Sequence, residues 1–278
     1  MTQTITPLKA SAISADFIQP MEHGQINWLG TYTLLVKEIR RFLKVYLQTI
    51  GSPVITTLLF LAVFALSMGR VATTVSGVPF LEFLAPGLIM MSMVQNAFAN
   101  TSSSLVISKI QGNIVDLLMA PLSAVEQTGA IALGGMLRGM VVGLAVALSM
   151  VPFVDFHVDS LGLVLYHAVM GSLMMSLLGM MGGIWSDKFD HLAFVTNFVV
   201  TPLSFLSGTF YSIERLPPVF KSIAQVNPFF YMIDGFRAGF IGHADSNILI
   251  GAVVVGVVNV FLLAATWRML DTGYKLKA

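Results

Sequence analysis

The side chains able to do chemistry are few and oddly placed. Cysteine is absent, which removes disulfides, thiolate metal sites and a thiol nucleophile together. The histidines His23, His157, His167, His191 and His243 are scattered without metal-ligand spacing, and no hydroxyl stands in a pattern that pairs it with a base. No Gly-x-x-x-x-Gly-Lys-Ser/Thr loop is present to cradle a nucleotide's phosphates. The polar residues that stand out lie inside apolar blocks: Arg138; Gln95, Asn96, Asn100 and Thr101; and Thr196, Asn197 and Thr201 beside Phe198 and Phe205. Amides and a guanidinium facing hydrocarbon are costly, so these groups must point at neighbouring helices or at a water-filled cavity. For Arg138 the choice is between contact with an anionic head group or gate and a structural pairing, with Glu126 toward the same side as a polar partner.

The elements that carry them follow from composition. Of 278 residues 56% are hydrophobic and 10% are charged, where a soluble domain carries about 25% charge. The apolar residues fall in blocks near the roughly 20 residues that cross a hydrocarbon core as helix. Six spans are predicted, at about 50–68, 83–105, 128–153, 161–185, 192–210 and 248–269, giving an all-α integral membrane protein. Residues 49–278 then form one transmembrane domain. Gly135, Gly139 and Gly143 in the third span, and Gly179 and Gly183 in the fourth, make smooth stripes for close helix packing. Net charge is +1 without a broad basic patch, so nothing points to nucleic acid.

Ahead of the spans, residues 1–25 read as a flexible cytoplasmic tail without the basic and apolar regions of a cleaved signal peptide. Residues 26–48 read as an amphipathic helix at the membrane interface. Trp28, Tyr32, Leu35, Val36, Ile39, Phe42, Leu43, Tyr46 and Leu47 share one face, and Lys37, Arg40, Arg41, Lys44 and Gln48 meet head groups on the other. With the N-terminus inside, ten Lys and Arg fall on the cytoplasmic side and four (Arg70, Arg215, Lys221 and Arg237) on the opposite side, which places both termini in the cytoplasm.

Two segments between spans carry structure of their own. Residues 108–122 predict a short cytoplasmic helix ended by Pro121, with Ile114, Leu117 and Leu118 on one exposed apolar face, Asp116 at its rim and Lys109 as the flanking cation. Between the last two spans, Pro217-Pro218 and Asn227-Pro228 predict two short helices, Pro218 to Gln225 and Pro228 to Ile241, that dip into the outer leaflet as a broken re-entrant hairpin. Asp234 and Arg237 stand three apart and are expected to pair across a turn, fixing that hairpin.

This order of parts resembles the permease subunits of the ABC-2 type family, over nearly everything from Trp28 onward. The run Asn227-Pro228-Phe229-Phe230-Tyr231-Met232-Ile233-Asp234-Gly235-Phe236-Arg237 is similar to the family's late motif of Asn-Pro, an aromatic, an acid and Arg. Gly112 to Pro121 resembles its cytoplasmic coupling region. The resemblance implies a homodimer in the bacterial inner membrane, paired with two copies of a separate ATP-binding cassette subunit that binds ATP and Mg. This chain then binds no cofactor of its own. It further implies that the second and fifth spans line a pathway for an amphipathic lipid, glycan or drug, with Gln95, Asn96, Asn100, Asn197, Phe198, Thr201 and Phe205 as its candidate residues. An ion-coupled secondary transporter or channel stays open as the alternative. Such a protein would want carboxylates or histidines within the spans, and apart from Arg138 these are nearly free of charge.

Overall fold

The computed structural model describes residues 26–68, 74–75, 77–213 and 216–276. The tail at 1–25, and Arg70, Arg215 and Lys277 of the charge balance, lie outside the described residues. Among the described residues, five helical segments are long and apolar enough to cross a membrane: Leu47–Ser67, Phe80–Ile110, Ala124–Met150, Leu161–Trp185 and Ile248–Thr272. The chain begins with α1 (Trp28–Leu43), then a π-helical turn (Leu47–Gly51) that runs into α2 (Ser52–Met68). A two-residue hairpin, β1 (Thr74–Val75) with β2 (Val78–Pro79), leads to α3 (Phe80–Ile110). There follow α4 (Ile114–Met119), α5 (Ala124–Met150), α6 (Leu161–Trp185), α7 (Phe189–Val195), a second π turn (Thr196–Val200) and α8 (Thr201–Phe205). The last three helices are α9 (Pro218–Val226), α10 (Pro228–Ile241) and α11 (Ile248–Thr272).

The centre of the bundle is α3, packed between α5 and α6 and touched by α2 and α10. The predicted glycine stripes lie along these contacts. A Cβ on Gly139 would stand 2.8 Å from the Met93 carbonyl oxygen, and one on Gly179 would stand 2.4 Å from that of Phe98. Only a bare α-carbon lets the backbones approach so closely. Helix starts are set by local chemistry. Ser123 and Glu126 close a capping box on α5, and the Asn227 and Asn247 amide oxygens accept the first N–H groups of α10 and α11.

Three predicted boundaries are corrected. The interfacial helix ends at Leu43 rather than at Gln48, because the chain turns at Lys44 and Val45. The buried Thr49 hydroxyl holds that corner by donating to the carbonyls of Phe42 (2.9 Å) and Val45 (3.1 Å). The third span ends at Met150, three residues early. The fifth is not one long helix over 192–210: its helical run covers α7, the π turn and α8, and the chain then turns at Leu206 to Gly208, where glycine takes φ +73°. Pro202 has no N–H for the Phe198 carbonyl, which fits the π turn that precedes α8.

Candidate functional site

The polar residues of α3 form a ladder. Ser92, Asn96, Asn100, Ser104 and Ser108 recur at every fourth position and so share one face. Four of these rungs receive a partner from another helix. Ser92 Oγ meets Thr57 Oγ1 of α2 at 3.3 Å. Asn96 Oδ1 accepts from Arg138 Nη2 of α5 at 3.0 Å, while Asn96 Nδ2 turns back to the Ser92 carbonyl at 3.0 Å. Asn100 accepts Arg41 Nη2 of α1 on its side-chain oxygen (2.9 Å) and on its carbonyl (2.6 Å). Ser104 Oγ reaches both oxygens of Glu38, at 2.9 and 3.0 Å.

Glu38 is the residue that sequence reasoning missed. It is only 1% exposed, and its carboxylate forms a 3.1 Å ion pair with Arg41. The two charges dock α1 onto α3, and Gly134 of α5 makes the room: a Cβ there would stand 2.7 Å from the Glu38 Cβ. Arg41 therefore does not face head groups as predicted, because its guanidinium is turned into the bundle. Nor is Glu126 the partner of Arg138. That carboxylate closes the cap of α5 and accepts the backbone N–H groups of Asn27 and Ser123.

The outer motif is also rearranged. Asp234 and Arg237 are both 2% exposed and do not bond to each other. Asp234 accepts from the N–H groups of Asp245 and Ser246 (2.9 Å each) and from the Ser246 hydroxyl (2.6 Å). Arg237 donates to the carbonyls of Gly208 (2.5 Å) and Thr209 (3.4 Å), and its guanidinium lies 3.9 Å over the Phe83 ring of α3. Asn227 ties the start of α10 to the same turn, donating to Ser207 Oγ at 2.9 Å and to the Leu203 carbonyl at 3.2 Å. Pro228 supplies the first turn, and Tyr231 packs against Phe230 and beside Gly251 of α11.

The two sets of candidate pathway residues are not brought together within one chain. Gln95 and Asn96 line a cavity of about 200 Å³ between α2 and α3. On the fifth helical run, Asn197 and Phe198 are exposed, Phe198 stacks on Phe194, and Phe205 stacks on Phe210. Thr201 is half-buried there. The inner side of that run, at Val199, Val200 and Leu203, faces a separate apolar cavity of about 1040 Å³ shared with α6, α9 and α11.

The segment over residues 108–122 is corrected as well. Gly112 turns the chain at φ +76°, but Ile114 is buried, and Leu117 and Leu118 are half-buried against the core. The apolar side chains of α4 left exposed are Val115 and Met119, with Asp116 exposed beside them. Gln127 Nε2 of α5 donates to the carbonyls of Leu117 (3.1 Å) and Leu122 (3.3 Å), and Asn27 Nδ2 donates to that of Pro121 (3.1 Å). A groove of about 860 Å³, lined by Leu34, Lys37, Asp116, Leu117 and Pro121 among others, separates α4 from α1.

A helical bundle with several spans of membrane-crossing length, whose first helix and short connecting helix are clamped to the same two long helices, defines a multi-pass membrane protein. Residues 30–241 match the ABC-2 type transporter family, and the chain belongs to that family. It is 36% identical over 255 residues to the inner membrane transport permease YadH of Escherichia coli strain K12, covering 91% of this chain and 99% of the relative. It is also 25% identical over 263 residues to nodulation protein J of Rhizobium leguminosarum bv. trifolii, covering 91% and 96%, and 23% identical over 256 residues to that of Neorhizobium galegae, covering 88% and 94%. The chain is thus the inner-membrane permease subunit of an ABC transporter, and family membership implies a partner that carries the ATP-binding cassette.

Proposed function

We propose that this permease exports an amphipathic substrate from the inner membrane, using ATP and Mg bound and hydrolysed entirely on the partner. Two copies of the chain form a two-fold dimer that engages two ATPase subunits, with both termini in the cytoplasm. The observation that carries this reading is the α4 segment. It is fixed to α5 through Gln127 and to the start of α1 through Asn27, and it presents Val115 and Met119 to solvent. A push on α4 therefore reaches α1 and α5 together, and through Glu38, Arg41 and Arg138 it reaches α3. Two exposed apolar side chains beside the Asp116 carboxylate suit a groove on a partner protein, with the charge setting orientation at the rim. The exposed row of α2, at Ile55, Leu59 and Leu66, is available to a second copy.

The test replaces Val115 and Met119 with Ser, because Leu117 and Leu118 also pack against the protein's own core. The double variant is expected to insert and dimerise normally but to lose copurification of the ATPase or its substrate-stimulated hydrolysis. Retention of complex formation, stimulated hydrolysis and transport would remove α4 as the coupling element.

A further inference from the structure

The cavity between α2 and α3 holds polar groups with nothing to bond. Six polar side chains border it: Ser52, Thr56, Thr57, Ser92, Gln95 and Asn96. Thr57 bonds with Ser92, and Asn96 is held by Arg138 and the Ser92 carbonyl. Among the described residues, the side chains of Ser52, Thr56 and Gln95 have no hydrogen-bond partner within the protein; Ser52 and Thr56 stand exposed at the mouth of the cavity and Gln95 is half-buried. All three lie on helices long and apolar enough to span the bilayer, where an unsatisfied amide or hydroxyl costs free energy. Their free groups call for an occupant able to exchange hydrogen bonds.

The charges around the cavity are unbalanced in one direction. Glu38 is committed to Arg41. Arg138, behind Asn96, has no carboxylate partner among the described residues, and its Nε is buried without a hydrogen bond. The side-chain nitrogen of Asn100, one turn away on the same face, is likewise buried and unpaired. Two guanidiniums and one carboxylate leave a net positive centre at membrane depth, and every unpaired buried atom in this ladder is a donor. A neutral hydroxylated ligand would satisfy the wall and leave the cation unmatched, whereas an anion satisfies both.

We propose that this cavity binds the acidic head group, a phosphate or carboxylate, of an amphiphile whose apolar part extends along the exposed face of α2, at Ile55, Leu59 and Val63. The volume supports a head group rather than a whole ligand, since about 200 Å³ falls below the roughly 300 Å³ at which sites for complete small molecules begin. Ser52, Thr56 and Gln95 supply hydrogen bonds, and Arg138 supplies the charge by releasing Asn96 or acting through it. The proposal rests on the pathway reading above for its cargo form alone, because a lipid of the surrounding bilayer carries the same head-group chemistry.

The test measures lipid retention by the purified full-length permease in native mass spectrometry, with phosphatidylglycerol and phosphatidylcholine of equal chain length as probes. The wild type is expected to favour phosphatidylglycerol by about tenfold. R138Q keeps a donor for Asn96 but lacks the charge and should lose the preference; R138K should keep most of it. Q95L and T56V remove wall groups that have no partner inside the protein, so they should fold normally and still weaken retention several-fold, which keeps the test decisive if R138Q fails to fold. R268Q, exposed on α11, should change nothing. Unchanged retention in Q95L and T56V, or an equal loss in R268Q, overturns the site. In vesicles with the ATPase partner, outward movement of labelled phosphatidylglycerol that requires ATP and Arg138 marks cargo, while binding unaffected by ATP marks a resident lipid. Failure of stimulated hydrolysis in that arm counts against the coupling reading and leaves the binding result standing.

Discussion

Two acid–arginine pairs with the same sequence spacing behave differently. Glu38 and Arg41 on α1, like Asp234 and Arg237 on α10, stand three residues apart; Glu38, Asp234 and Arg237 are buried and Arg41 is half-buried. The inner pair closes into an ion pair and presents both charges to α3. The outer pair stays apart. Asp234 takes N–H groups just ahead of α11, and Arg237 takes carbonyls just after α8, the backbone groups that helix ends and turns leave without partners. Helical spacing makes a pair geometrically available; competing unpaired backbone groups decide whether it forms. At the inner site the facing surface is the middle of a helix, whose N–H groups are already bonded, so Arg41 takes one already-bonded carbonyl, that of Asn100, together with side-chain oxygens and stays beside Glu38. At the outer site two loops converge, and each charge is drawn to a different one.

Double-mutant cycles test this contrast directly and carry the largest effects. Glu38→Ala leaves the half-buried Arg41 without its carboxylate and Ser104 without its acceptor, and is expected to cost roughly 2–3 kcal/mol. Adding Arg41→Ala should recover part of that loss, with a coupling of about 1–3 kcal/mol measured by unfolding in detergent. Asp234→Ala and Arg237→Ala should each destabilise strongly yet combine within about 0.5 kcal/mol of additivity, because they hold different loops. Coupling at the outer pair equal to that at the inner would erase the distinction.

A smaller effect is expected at the glycines that admit these centres. A Cβ on Gly87 of α3 would stand 2.6 Å from the Thr209 carbonyl oxygen and 3.0 Å from Arg237 Nη2, whereas one on Gly134 would meet the Glu38 side chain at 2.7 Å. Overpacking costs roughly 1–3 kcal/mol. Gly87→Ala should fall at the upper end, since it strikes backbone inside the bundle, and Gly134→Ala at the lower, since α1 lies at the edge and can shift outward. The reverse order would show α1 to be held more rigidly than the outer turn.

How far the sequence discloses these sites depends on how far the partners lie apart. The span Leu161 to Trp185 agrees residue for residue with α6, because an apolar block between Ser160 and Ser186 is a local signal. The start of α10 is equally local, since Asn-Pro carries its own cap. Glu38 was illegible: on an amphipathic helix a carboxylate among cations reads as solvated, and its partner Ser104 lies 66 residues away. The ladder on α3 did leave a trace, the four-residue recurrence of Ser and Asn, whereas its partners had to come from the fold. Ile114 misled for the opposite reason, because apolar periodicity shows that a face exists but does not say whether it packs inward or meets a partner. In the fifth span, hydropathy concealed what Pro202 does to the helix.

The smallest effect is expected at a third acid, Asp187, which sits between Lys109 (3.1 Å) and Lys275 (3.4 Å) with half its side chain exposed. Hydrogen bonding from Lys109 comes first and, with the attraction of that cation and the weaker contribution of Lys275, holds its carboxyl below the usual carboxylate range against an opposing desolvation. A carboxyl lowered on folding stabilises above its unfolded pKa of about 3.9 and loses that contribution as pH falls through the lower folded value. D187N should therefore melt slightly below the wild type at neutral pH, converge with it in strong acid, and narrow the gap as salt rises. The loss is small because Lys109 keeps its other bonds, to the carbonyls of Ile184 (2.9 Å) and Ser186 (2.8 Å), and so continues to cap the end of α6 without the carboxylate. Lys109→Met removes that cap and should lower the melting temperature more than D187N does. If D187N instead matches the cost of Glu38→Ala, exposure is not what separates this acid from the buried ones, and the contrast must be sought in the cations' backbone contacts.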